Sequence, residues 1–198
     1  DSPTNYGTGN SGGDVRGNYC TWNPLFTNSA FSISNGNLDL TTSSVYNTIC
    51  ASTFGLSSGK WYWEITINSG AGAGIGVCTS AVNLANFLGG TSASRSYDWT
   101  GQKYPGGASY GASYTVGDII GVAIDVDAGT LVYYKNGVSQ GTAFTDLAGS
   151  TWFPAIGDQS WGGNNVAISA NFGQRPFAYP LSGFKALCTT NLPEPTIA

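Results

Sequence analysis

The sequence predicts an all-β fold, an antiparallel sandwich or barrel. Apolar and polar residues alternate over several stretches of strand length. Gly, Asn and Asp stand between those stretches, where hairpin turns need them. No segment carries a sustained helical stripe, and Ser80–Leu88 offers one short turn and no more.

The elements follow in chain order. Phe31 and Ile33 alternate up to Asn35-Gly36, and Leu38 and Leu40 follow it. That is a hairpin pattern, because a type I′ turn needs φ > 0 at both central residues. Residues 60–68 place Trp61, Trp63, Ile65 and Ile67 on one face and Tyr62, Glu64, Thr66 and Asn68 on the other, a half-buried strand. In 74–79, Ile75 and Val77 oppose a face of glycines and Cys78. In 119–126, Ile120, Val122, Ile124 and Val126 share one face and Ile119, Gly121, Ala123 and Asp125 the other, so this strand lies deep in a sheet. Asp127–Thr130 turns the chain, Leu131–Lys135 returns it, and Asn136-Gly137 reverses it again. Val166, Ile168, Ala170 and Phe172 repeat the alternation, with Asn165, Ala167, Ser169 and Asn171 opposite.

Composition removes several functions. The chain has 198 residues, a formal net charge of −4, 9% charged and 13% aromatic residues, 29 Gly, and neither His nor Met. This length bounds the chain to one domain with a small appendage at most, and 41% hydrophobic residues suffice for a core. Seven basic residues, scattered singly, cannot neutralise a run of phosphates, which argues against a nucleic-acid partner. Lack of His excludes Ser-His-Asp and Cys-His nucleophiles and His-ligated metals. No apolar run approaches the roughly 20 residues of a membrane helix, so no membrane insertion is expected. Cys20, Cys50, Cys78 and Cys188 form no C-x-x-C pair. They read as reduced, buried small hydrophobes, with a Cys20–Cys188 link between the ends left open. Asp125 and Asp127 stand two residues apart at a hairpin, which is turn chemistry rather than a calcium site. No cofactor and no metal is expected. Asp1 opens the chain with no basic and apolar signal segment behind it, which reads as a processed chain or a piece of a longer protein.

Residues 86–114 break the rhythm. They hold Phe87, Tyr97, Trp99, Tyr104, Tyr110 and Tyr114 together with Arg95, Asp98 and Lys103. A stretch this long without periodicity either carries function or hides a hairpin.

Several blocks then form an ordered series. They are Gly59-Lys60-Trp61-Tyr62-Trp63-Glu64-Ile65, Gly74-Ile75-Gly76-Val77, Tyr97-Asp98-Trp99 through Tyr104, and Gly117-Asp118-Ile119-Ile120-Gly121. Tyr133-Tyr134-Lys135-Asn136-Gly137, Phe153-Pro154-Ala155-Ile156 and Asn171-Phe172-Gly173-Gln174 with Pro176-Phe177 complete it. In this order they resemble the SPRY (B30.2-like) family. The resemblance implies a bent antiparallel β-sandwich, a jelly roll similar to the concanavalin A-like lectins. It divides the chain into an N-terminal arm with the first hairpin strands (1–54), the sandwich core (55–180) and a C-terminal extended arm or linker (181–198). The flanks Asn18–Leu25 and Ala186–Ile197 resemble SPRY-containing structural proteins predicted in tailed bacteriophages, which implies a tail-fibre or head-decoration domain on a virion.

In SPRY proteins the loops at one end of the sandwich form the ligand surface. By that resemblance Tyr97 and Tyr104 are structural, while Trp99, Lys103, Tyr110 and Trp161 are ligand-binding candidates. Arg95 and Asp98 add polar contacts, with a surface ion pair between them as the plainer reading. Exposed Tyr and Trp supply rigid contact area that suits peptides and sugars. A glycosidase would need two carboxyls about 5–10 Å apart. Glu64 reads as solvent-facing, Asp125 lies opposite its strand's apolar face, and Asp127 closes its turn as an Asx residue, so no catalytic residue is assigned. The resulting expectation is a non-enzymatic binding or structural module on a virion surface. Its partners would be a host surface protein or glycan, or other virion subunits, with a homo-oligomer left open. The alternatives are an intracellular SPRY-type peptide-binding adaptor and a carbohydrate-binding or glycan-active domain.

Overall fold

Alternating apolar residues need a second layer to cover them, and here two sheets cover each other. The computed structural model describes residues 13, 17–42, 47–70, 72–159 and 165–192. One sheet runs β1 (Trp22–Thr27), β4 (Thr48–Ser52), β13 (Phe153–Asp158), β6 (Ala73–Cys78), β7 (Ser94–Asp98), β8 (Gln102–Tyr104), β9 (Ala108–Ser109). The other runs β12 (Val138–Phe144), β11 (Thr130–Lys135), β10 (Ile119–Asp125), β5 (Lys60–Ser69), β14 (Ala167–Asn171), β3 (Asp39–Thr42), β2 (Phe31–Ser34). Every paired strand is antiparallel to its neighbour. Among the described residues the only helix is a 3-10 turn at Thr189–Asn191. The all-β class and the two-sheet sandwich therefore stand as the sequence predicts.

The core lies between the sheets. Trp61, Trp63, Ile65 and Ile67 of β5, Val122 and Ile124 of β10, and Ile168 of β14 pack with Ile75, Val77, Tyr97 and Ile156 of the facing sheet. Each aliphatic side chain buried this way contributes about 1.5–3 kcal/mol. Trp22 and Phe172 meet edge to face at 5.2 Å, which ties β1 to the closing end of β14.

β5 is buried on both faces rather than one. After β14 the chain returns across the outer side of the sheet, and Phe177 packs edge-on against Tyr62 at 5.0 Å. Glu64 lies beneath this arm at 3% exposure instead of facing solvent. Its carboxylate accepts from Ala178 N (2.9 Å), Tyr179 N (2.8 Å) and the Tyr62 hydroxyl (3.2 Å). Farther along, Lys185 N donates to Lys60 O (3.0 Å) and Tyr62 N to Lys185 O (2.9 Å), so the arm adds a short paired stretch to β5. The two ends of the chain meet there, with Cys20 N donating to Leu187 O at 2.9 Å. Even so, Cys20, Cys50, Cys78 and Cys188 are all free and buried, and no Cys20–Cys188 link forms. Burial pushes the thiol of Cys20 up to about 11 and those of Cys50 and Cys78 to about 12.

Turn lengths refine the hairpins. Ser34 pairs with Asp39, so Asn35–Leu38 is a four-residue connection, with φ of 51°, 62° and 63° at Asn35, Gly36 and Asn37. Lys135 pairs with Val138, so Asn136-Gly137 is the two-residue turn, at φ of 49° and 80°. Residues 86–114 hide β7 and the β8–β9 ribbon that extends it. Ser80–Leu88 forms turns without a helix. Leu88 packs over Gly157, where a Cβ would stand 2.6 Å from Leu88 Cβ.

Candidate recognition surface

Strand register gathers several connections at one end of the sandwich. Gly74 pairs with Asp98, Ala73 with Asp158 and Ile119 with Thr66, while Lys135 pairs with Ile120. The connections 99–101, 113–118 and 136–137 therefore leave the sheets side by side, with Gly72 and Gln159 beside them. Two contacts lock them together: Ile67 N donates to Asp118 O (3.0 Å) and Gln159 N to Gly72 O (2.7 Å).

A cleft of about 400 Å³ opens at this end, lined by Trp99, Thr100, Ser113, Tyr114, Thr115 and Lys135. Tyr114 is its buried floor, with its hydroxyl 2.8 Å from Ala73 O and 2.9 Å from Tyr97 O. Trp99 is a half-buried wall. Lys135 Nζ donates to Ser113 O (2.8 Å) and pairs with Asp118 Oδ2 (3.1 Å). Asp118 also accepts from Thr115 N (2.9 Å) and Asn136 Nδ2 (2.7 Å). Burial raises the pKa of Asp118, but the Thr115 N–H, Asn136 and Lys135 outweigh it, so the carboxyl titrates below its ordinary value. Val116 follows Thr115 in the chain and Val138 pairs with Lys135, and the two are 52% and 66% exposed.

Of the candidate residues, Trp99 alone lines this cleft among those described. Arg95 is buried on β7 and points to the far side. It grips Asp146 at 2.6 Å, donates to Ser92 O (2.9 Å) and Ser94 O (2.8 Å), and lies over the rings of Trp152 and Phe144 at 5.5 and 5.8 Å. Asp98 is also buried, and no Arg95–Asp98 surface pair exists. Its Oδ1 accepts from Thr100 N (3.1 Å), Thr100 Oγ1 (2.8 Å) and Gln102 N (2.9 Å), which closes the β7–β8 turn. Lys103 Nζ donates to Ala143 O at 2.6 Å and lies over the rings of Tyr110 (5.8 Å) and Phe144 (5.4 Å). The Tyr110 hydroxyl donates to Gly141 O at 2.5 Å, and its ring packs on Tyr97 at 5.3 Å. Burial pushes Tyr110 up to about 12. Trp161 lies outside the described residues. Sequence reasoning ranked aromatic type first and so passed over Thr115, Val116, Lys135 and Val138. Their signal was the Asn136-Gly137 turn, which marks where β11 must end and present its neighbours.

The carboxylates Asp125 and Asp127 are engaged within the fold. Asp125 Oδ2 pairs with Lys60 (3.1 Å) and its Oδ1 accepts from Ala128 N (3.0 Å). Partial burial raises its pKa, but Ala128 N–H and Lys60 more than offset that, leaving it lowered. Asp125 rather than Asp127 thus closes the turn, and Asp127 Oδ1 reaches back to Gly59 N at 3.1 Å.

Comparison with known proteins bears on all of this. A model of the SPRY domain family matches residues 60–175. The E3 ubiquitin-protein ligase RKP of Arabidopsis thaliana is 33% identical over 137 residues, covering 65% of this chain and 10% of that protein. Ran-binding protein 9 of Xenopus tropicalis is 35% identical over 133 residues, 64% of this chain and 24% of that protein. The chain thus spans a tenth and about a quarter of those relatives' lengths. The crystal structure of the SPRY domain of human HERC1 superposes with a TM-score of 0.64 at 26% identity, covering 75% of this chain and 96% of that one. These similarities to plant and animal proteins overturn the bacteriophage role and the virion location. The flanks that suggested a phage lie wholly outside 60–175, and segments so short carry too little information to assign a source.

Proposed function

Because the chain belongs to the SPRY family, we propose that it is a non-enzymatic protein-binding adaptor module that takes a short peptide at the Trp99–Lys135 cleft. The observation that carries this reading is the make-up of that cleft. It has one aromatic wall and a lysine fixed by Asp118 at the end of β11, with two exposed valines in the adjoining chain, one following Thr115 and one paired with Lys135. Buried aromatic anchors surrounded by fixed polar groups are the usual centres of protein recognition. An ammonium has three N–H groups. Lys135 uses them toward Ser113 O and Asp118, which leaves a donor for a peptide carbonyl. A Ran-binding protein and a ubiquitin ligase among the relatives fit a module that brings proteins together.

The test is a peptide library selected on the purified chain, followed by titration of the best binder. Trp99→Ala combined with Val138→Ser weakens binding by about tenfold or more, with the near-ultraviolet circular dichroism unchanged. Lys135→Ala is the second arm, since that residue lines the cleft from the end of β11. Undiminished binding by both variants refutes the cleft as the site.

A further inference from the structure

Two Asn-Gly pairs stand in the chain, Asn35-Gly36 and Asn136-Gly137, and both sit at exposed hairpin tips. Their backbones match, with φ of 51° and 62° in the first and 49° and 80° in the second. Asn-Gly is also a reactive dipeptide. The main-chain nitrogen of the second residue can reach the side-chain carbonyl carbon of the first, because Gly sets no Cβ beside it. Neither exposure nor backbone conformation separates the two pairs. Any difference in reactivity therefore lies in what holds the side chain and the turn.

The second pair is braced. Asn136 Oδ1 accepts from Ile119 N at 2.9 Å, and its Nδ2 donates to Asp118 Oδ1 at 2.7 Å. Asn136 N donates to Ile119 O at 2.8 Å. A Cβ on Gly137 would stand 2.6 Å from the Tyr179 ring, so the turn lies against the C-terminal arm. That arm is itself fixed, through Tyr179 N on Glu64. The first pair lacks these restraints. Among the described residues Asn35 makes no side-chain hydrogen bond, and Gly36 N donates to no acceptor. No atom lies within 4 Å of where a Gly36 Cβ would stand. Its connection is the longer one, between Ser34 and Asp39, and it follows β2, the outermost strand of its sheet.

We propose that Asn35-Gly36 is a site of spontaneous deamidation and isoaspartate formation, and that the fold locks the Asn136-Gly137 pair against the same reaction. Gly36 N bonds to Asn35 Cγ, and the Cγ–Nδ2 bond breaks. Nδ2 leaves as ammonia with the proton of the Gly36 N–H, and a succinimide remains. Water then adds at one of its two carbonyls. Ring opening returns aspartate or, with the main chain rerouted through Cγ, isoaspartate. Nothing is oxidised or reduced. The isoaspartyl product carries a free α-carboxylate, which is the group a repair carboxyl methyltransferase esterifies. At Asn136 the carbon stays out of reach until the bonds to Ile119 and Asp118 open together. The protected turn is the one beside Lys135 and Asp118, whereas the reactive one lies at a sheet edge.

The experiment ages the full chain in mildly alkaline buffer and follows the loss of each side-chain amide by tandem mass spectrometry of digests taken over time. The expected result is loss at Asn35 faster than at Asn136 by about tenfold or more, since two hydrogen bonds, one of them to a carboxylate, hold Asn136 back. In guanidinium the two pairs convert at similar rates, which ties the difference to the fold. Asp118→Ala speeds the loss at Asn136, and retained near-ultraviolet circular dichroism separates that from unfolding. The aged chain also accepts a labelled methyl group at residue 35 from S-adenosylmethionine and a protein isoaspartyl methyltransferase. Equal rates in the folded chain, faster loss at Asn136, an Asn35 that persists while the guanidinium sample converts, or no methyl uptake at residue 35 would each overturn the assignment.

Discussion

Arg95 holds a charge inside the fold at 7% exposure, and its surroundings show how that is tolerated. Four donor contacts reach Asp146 and two carbonyls, and two aromatic rings lie beside the guanidinium. Arg95→Ala removes both pairing and packing and is expected to cost about 2–4 kcal/mol in urea denaturation. Asp146→Asn costs less, about 1 kcal/mol, because the Asp146 side chain is 58% exposed and solvent screens the pair. Glu64 makes the complementary case. Its two oxygens accept from three donors, so an amide there would aim N–H groups at other N–H groups. Glu64→Gln is expected to destabilise the chain by about 2 kcal/mol in the same measurement. Neither residue's role was legible in the sequence, since each depends on a segment far along the chain.

At the level of elements, the β8–β9 ribbon guards an edge. β12 is the outermost strand of its sheet, and two of its carbonyls, Gly141 O and Ala143 O, accept from Tyr110 and Lys103. Occupied edge carbonyls discourage strand addition. Tyr110→Phe with Lys103→Met is expected to raise hydrogen exchange in β8 and β9 while peptide binding at the Trp99 cleft persists. β6 sits in the middle of its sheet and is packed too closely for side chains at its glycines. A Cβ on Gly76 would lie 1.9 Å from Arg95 O, which is main chain and cannot give way. Gly76→Ala is therefore expected to cost about 3 kcal/mol or more, read as a lowered denaturation midpoint. The alternation in β5, β6, β10 and β14 and the Asn-Gly turns were readable because strand periodicity and turn chemistry are local. β1, β4 and β12 were harder to read, since Pro24, Cys50 and Gly141 interrupt the pattern.

For the whole molecule, titration sets limits on both sides of neutrality. Asp118, Asp125 and Asp146 all have lowered pKa values in the folded state. The stability they add is present above the ordinary carboxylate range and is lost as pH falls through the lowered values. Thermal unfolding is expected to be flat from about pH 5 to 8 and to weaken below about pH 4. Tyr62, Tyr97, Tyr114 and Tyr133 shift the other way, all raised first by burial. Their contribution is present below the ordinary tyrosine value of about 10 and is lost as pH rises beyond it, so alkaline unfolding should be steep. The buried thiols give a further check: all four stay unreactive to Ellman's reagent in the folded chain and react after guanidinium unfolding. The sequence by itself determined the all-β class, most strand positions and the exclusion of His-based chemistry, because these rest on local alternation, turn residues and composition. Only the tertiary structure decided which polar residues face outward. Ala178 covers Glu64 from 114 residues away, Asp146 draws Arg95 inward, and the Trp99 cleft joins two separate connections to the end of β11. Burial of a second face depends on what the rest of the chain lays over it, and no local pattern records that.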